Sequence, residues 1–254
     1  MLGPLTISRV NLVELYLSTG VLRKAMQLAD RTVAQAREVH HPHGIALGLA
    51  YRAQVLLGVG RLDHAASSSH EALRLARALG TPEDELLVQS LLVRVALAQG
   101  RAEAALEHLD AIKPLLEYDA EGIAPMVAAW RVRALCLTGD KSEAEALMDR
   151  TPLDTRAWPN IRVRTDIARG RANQALGRAD HGLLSVQGAL KVAEANGYRL
   201  YQLHAHHLLV QFIEDEAQRA RHQRVARALA RSLAANLPRA DGQAFLTAGF
   251  GDVE

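Results

Sequence analysis

The chain has 254 residues, 30 basic and 28 acidic side chains, 49% hydrophobic residues and a single cysteine. The apolar content and a net charge of +2 exclude a disordered polyelectrolyte, and one cysteine excludes an internal disulfide. No apolar run approaches the ~18 residues of a membrane span. Met1 to Arg9 lacks a basic segment followed by an apolar one, so the expectation is a soluble cytoplasmic protein.

Ala, Leu and Arg dominate, all strong helix formers, and aromatics make up only 4%. In chain order, helix pairs are predicted near 4–40, 43–80, 82–118, 121–151 and 159–196, with a sixth, worn pair near 198–237. Its first helix includes Leu208, Leu209 and Phe212, and its second runs from about Glu216 to Ala235. The fourth pair has a short second helix, ended near Pro152, and an irregular link through Trp158-Pro159. Residues 238–254 are expected to be a C-terminal tail. The breaks fall at His41-Pro42, Thr81-Pro82, Asp119 to Gly122, Pro152 to Pro159 and Asn196-Gly197, where Pro and Gly punctuate helices.

A repeat underlies these pairs. Gly20, Gly60, Gly100, Gly139 and Gly177 stand 40, 40, 39 and 38 residues apart. Five residues after each comes a small residue: Ala25, Ala65, Ala105, Ala144 and Gly182. A glycine ends a helix cheaply in the left-handed conformation. The small residue then lets the following helix approach closely. Upstream trios, such as Val10, Val13, Leu17 and Ala50, Ala53, Leu57, each occupy one face of the first helix. The fifth trio, Ile167, Gly170, Gln174, is weaker.

A helix, a glycine, a helix with a small residue in its first turns, and then Pro or Gly resembles the tetratricopeptide repeat family. The period here exceeds the usual 34 residues. The Trp mark of the first helix is absent, with Arg9, Leu49, Gln89, Ala128 and Asp166 in its place. The longer form is similar to repeats in kinesin light chains and in large bacterial signalling regulators. The resemblance implies an all-α, right-handed superhelical solenoid with a concave surface lined by the first helix of each pair. It also implies a non-catalytic interaction scaffold serving bacterial signalling or transcriptional regulation.

Six residues before each glycine stand Glu14, Gln54, Arg94, Arg133 and Arg171, beside the core stripe. Three residues earlier, on the same face, are Asn11, Tyr51, Leu91, Trp130 and Ala168. Stacking would set Arg94, Arg133 and Arg171 in a ladder, with Trp130 and Tyr51 as apolar anchors. Forked guanidiniums in register match carboxylates or phosphates, so an acidic peptide or protein segment is the expected partner. The plainer reading is a solvated polar face.

The last predicted helix carries Arg219, Arg221, Arg224, Arg227 and Arg231, with no acid from Ala217 to Ala240. Arg221, Arg224, Arg227 and Arg231 share one face, and Val225, Leu229 and Leu233 another. The plainer reading is a capping helix with a polar outer side. The sharper one is a contact of a peptide-sensing or nucleic-acid-associated regulator. Recognised nucleic-acid motifs are missing, which makes nucleic acid the less expected partner.

Two histidine groups, His40, His41, His43 and His204, His206, His207, lack the further ligands of a metal site, so no metal or cofactor is expected. Cys136 replaces the core leucines of other copies and is read as packing. No phosphate loop, nucleophile elbow or zinc-protease motif is present, so no enzyme is predicted. Degenerate end pairs leave a homo-oligomer open.

Overall fold

The computed structural model describes residues 3–120, 122–151 and 158–247, with side chains from residue 8 onward. Thirteen α-helices and no strand occur among the described residues. Six antiparallel pairs follow one another: α1 (Gly3–Ser18) with α2 (Leu22–Glu38), α3 (Pro42–Gly58) with α4 (Leu62–Leu79), and α5 (Pro82–Ala98) with α6 (Ala102–Ile112). Then come α7 (Ala124–Thr138) with α8 (Lys141–Arg150), α9 (Pro159–Leu176) with α10 (Ala179–Ala195), and α11 (Arg199–Leu209) with α12 (Glu216–Ala234). A further helix, α13 (Arg239–Thr247), ends the described chain.

Local chemistry sets the boundaries. The five periodic glycines all have positive φ, from 71° to 97°. At Gly60 the turn closes as a left-handed helix cap, with Gly60 N–H donating to Leu57 O and Arg61 N–H to Leu56 O. Prolines sit in the first turns of α3, α5, α7 and α9, where a missing N–H is harmless. His41 caps α3 by accepting from Gly44 N–H at 2.8 Å. Asp119 caps α7 by accepting from the N–H groups of Gly122, Ile123 and Ala124. Ala25, Ala65, Ala105 and Ala144 are fully enclosed, and Gly182 lies against the Phe212 ring. Leu17, Leu57 and Leu97 are buried, whereas Gln174 of the weak fifth copy is exposed. Of the predicted irregular link, residues 152–157 lie outside the described part.

The first helices α1, α3, α5, α7, α9 and α11 touch in succession, and α11 returns to touch α1. The array therefore completes one closed turn. Val13, Leu17, Leu22, Ala25 and Ala29 of the first pair share a core with Leu200, Leu203, Ala226, Ala230 and Leu233 of the sixth. Gly58 leaves room between Leu17 and Leu200. Arg23 Nε donates to Asn236 O at 2.8 Å, and Arg61 lies 3.5 Å from Asp241. Apolar burial between the ends removes the sticky edge that a terminal repeat presents to solvent.

Closure bears on two expectations. The predicted tail is a helix over 239–247: Phe245 is only 1% exposed and packs into the core joining the two ends. Residues 248–254 of that tail lie outside the described part. The open concave surface is also largely filled. In α5 every residue from Val88 to Leu97 is buried, so this helix meets protein on all sides.

Candidate functional site

The predicted concave stripe runs along the closed ring, and closure changes what it faces. Arg94 and Arg171 are each 6% exposed, Gln54 3% and Trp130 2%. None of these four offers the open ladder expected of a groove: His204 of α11 lies near Arg94 and Arg171, Gln54 bonds to Glu14, and Trp130 packs among residues of α5 to α9. Arg133 is half-buried. Trp130 packs in the central apolar cluster with its Nε1–H unpartnered.

The stripe converges on the ring interior. Gln54 Nε2 donates to Glu14 Oε2, and Tyr201 Oη donates to Glu14 Oε1 at 3.4 Å. Tyr201 is buried, and burial followed by the charge of Glu14 pushes its phenol pKa up. His204 sits in the same interior, 1% exposed. Burial, then the positive charges of Arg171 and Arg94, push its pKa down to about 3. Its Nδ1 has no hydrogen-bond partner.

The His204 shift has a measurable consequence. Unfolded histidine titrates near pH 6.5. Below that pH the unfolded chain binds a proton that the native interior refuses, so stability is full above pH ~6.5 and falls as pH drops towards ~3. One such histidine gives a slope of at most about 1.4 kcal/mol per pH unit. His204→Phe is expected to flatten the loss of urea resistance between pH ~6.5 and ~4.5. An unchanged slope would place the acid sensitivity elsewhere.

Asn11, Glu14, Tyr51 and Gln54 line a cleft of about 500 Å³ with Trp158, Arg164 and Tyr198. An adjoining cleft of about 240 Å³ shares Tyr51, Leu87 and Arg164 and adds Glu83, Asp84, Tyr118 and Asp119. Acids outnumber bases along this mouth, the reverse of what an acidic ligand requires.

The basic helix has the predicted polarity. Arg221, Arg224, Arg227 and Arg231 of α12 are exposed, Val225 and Leu229 are half-buried and Leu233 is enclosed. Beside them lies a cleft of about 650 Å³ between α11, α12 and α13. Val210, Ala226, Ala230 and Leu246 form its apolar lining, and Arg227 and Arg231 contribute guanidiniums. Leu246 of α13 completes this cleft.

The histidines are absorbed by structure. His43 pairs with Asp84 at 3.0 Å, while His40 adopts a left-handed φ of 51°. His206 and His222 join α11 to α12 through an Nδ1–Nδ1 hydrogen bond of 2.8 Å. Burial and the neighbouring His222 push the pKa of His206 down to about 4, and burial lowers that of His222. Cys136 packs partly exposed against the core, and burial raises its thiol pKa. Among the described residues no three His, Cys, Asp or Glu side chains group as metal ligands. No described helix is long and apolar enough to cross a membrane.

Helix pairs with a left-handed glycine between them and a small residue in the next first turn define a tetratricopeptide-type helical-repeat protein. The family model for the MalT-like TPR region matches residues 5–234, and the chain belongs to this family. No curated protein matches the chain.

Proposed function

We propose that the chain is a non-catalytic interaction scaffold that binds an acidic, amphipathic protein segment along α12. Repeats of this type usually mediate protein contacts. The observation that carries the finer reading is the exposed row Arg221, Arg224, Arg227 and Arg231 beside an apolar cleft. Apolar side chains of the segment fill the cleft, and its carboxylates meet the forked guanidiniums. The concave mouth, edged by Glu14, Glu83, Asp84 and Asp119, repels such a segment, so docking moves from the groove to α12. A role in bacterial signalling or transcriptional regulation, in the cytoplasm, fits this reading. Its support is the family resemblance.

The test uses a fluorescein-labelled amphipathic helix with a leucine face and a glutamate face, followed by anisotropy. Arg227→Glu with Arg231→Glu is expected to weaken binding at least about tenfold, or about 1.4 kcal/mol. Unchanged affinity removes the site. Tighter binding of duplex DNA, falling steeply with salt, would instead favour the nucleic-acid reading of the same helix.

A further inference from the structure

A register within the repeat singles out Arg169. Eight residues before the periodic glycine, three copies carry an arginine: Arg52, Arg131 and Arg169. Ten residues after the preceding glycine, the neighbouring copies carry Asp30, Asp110 and Asp149. In two interfaces the pair forms: Arg52 Nε to Asp30 at 2.8 Å, and Arg131 Nη2 to Asp110 at 2.5 Å. In the third it does not. Asp149 is held by Arg178 instead, through Nη1 at 2.5 Å and Nη2 at 3.4 Å.

Arg169 is thus left with its Nε and Nη1 enclosed and without hydrogen-bond partners. An enclosed guanidinium lacking acceptors is costly, and it stays charged at any physiological pH. Burial lowers the Arg169 pKa, and the charge of Asp166 only partly offsets this. Asp166 is itself pushed towards its neutral form by burial, against Arg162 and Arg169.

The space around this group is a cleft of about 550 Å³ between α8, α9 and α10. Arg162, Asp166, Arg169 and Asn173 follow one face of α9, at spacings of four, three and four. Arg178 and His181 close the cleft from the start of α10. Three arginines face two aspartates, Asp149 paired with Arg178 and Asp166 lying 3.9 Å from Arg162, so the cleft is net positive with Arg169 as the surplus cation.

We infer that this cleft is a binding site for a phosphate dianion, free or as a phosphomonoester on a protein segment, with Arg169 as its principal ligand. Guanidinium forks match the oxygen geometry of phosphate, and a dianion supplies the acceptors that Asp149 withholds from Arg169. Arg162 adds charge from one side, and the His181 ring lines the other. The site shares no lining residue with the α12 cleft, so the two readings stand or fall separately.

The test is calorimetric titration of the whole chain with inorganic phosphate, and separately with a phosphoserine peptide, in a buffer free of other oxyanions. One equivalent is expected to bind, and Arg169→Met is expected to weaken binding at least tenfold. That variant keeps the side-chain stem and removes a poorly satisfied charge, so its thermal midpoint without ligand should not fall. Asp149→Asn, which frees Arg178, should tighten binding. Tighter binding of the peptide than of the free ion assigns the site to a protein-borne phosphate, and the reverse assigns it to the ion. No heat with either probe, or equal binding by Arg169→Met, overturns the inference.

Discussion

Gly20→Val is expected to destabilise the chain by about 2–6 kcal/mol, far more than the same change at Gly100. Both glycines have a left-handed φ, +82° and +71°. A β-branched residue is strained there by about 1–3 kcal/mol in either place. Only at Gly20 does a Cβ also collide with Leu233 Cδ2, while lying 3.4 Å from the Cβ of Arg199. At Gly100 nothing lies within 4 Å. Overpacking of this kind adds about 1–3 kcal/mol. The excess at Gly20 therefore measures the seam between the first and sixth pairs. Denaturant midpoints of both variants decide the matter, and solution scattering should show Gly20→Val expanding. Equal losses at the two sites would mean that the ends do not meet.

Phe245→Ala should cost about 3–5 kcal/mol, the usual range for emptying a buried aromatic site. Phe245 is among the largest fully buried side chains, in a cluster that includes Val13, Leu22, Leu203 and Leu233. Gly242, one turn earlier, approaches the backbone oxygen of Ala234, which holds α13 tightly against the end of α12. An open solenoid frays from its last repeat, so a residue this late would contribute little to global stability. In a closed ring the last helix supports the first. A loss below about 1 kcal/mol, read from denaturant unfolding, would show α13 detaching independently of the ring.

The two clefts bear differently on partners. The α12 cleft offers apolar lining and exposed guanidiniums, which suits a protein segment. The α8–α10 cleft offers an under-satisfied arginine among further arginines, which suits a small anionic group. A scaffold with both would recognise a segment at one place and a charge at another.

The arginine register shows what the periodicity already contained. Arg52, Arg131 and Arg169, with Asp30, Asp110 and Asp149, stand at constant offsets from the glycines and are visible in the chain itself. That two pairs form and the third does not depends on Arg178 capturing Asp149 from the next helix. This competition is spatial. The same holds for Arg94 and Arg171. Their equivalent positions on α5 and α9 follow from spacing, and both lie near one interior group, His204. The burial of Arg94 does not follow from spacing, because His204 of α11, which lies near it, is far along the chain.

The amino-acid sequence determined the helices, their glycine caps, the pairing of neighbours and the polarity of α12, because each depends on residues within about one repeat of one another. Only the tertiary structure decided that the array closes, that the concave stripe becomes interior, that α13 seals the ring, and that Arg169 is left facing a cleft. Closure is the sum of small rotations between successive pairs. Such rotations arise from packing details at each interface, and a periodic pattern records that neighbours touch without recording the angle at which they do.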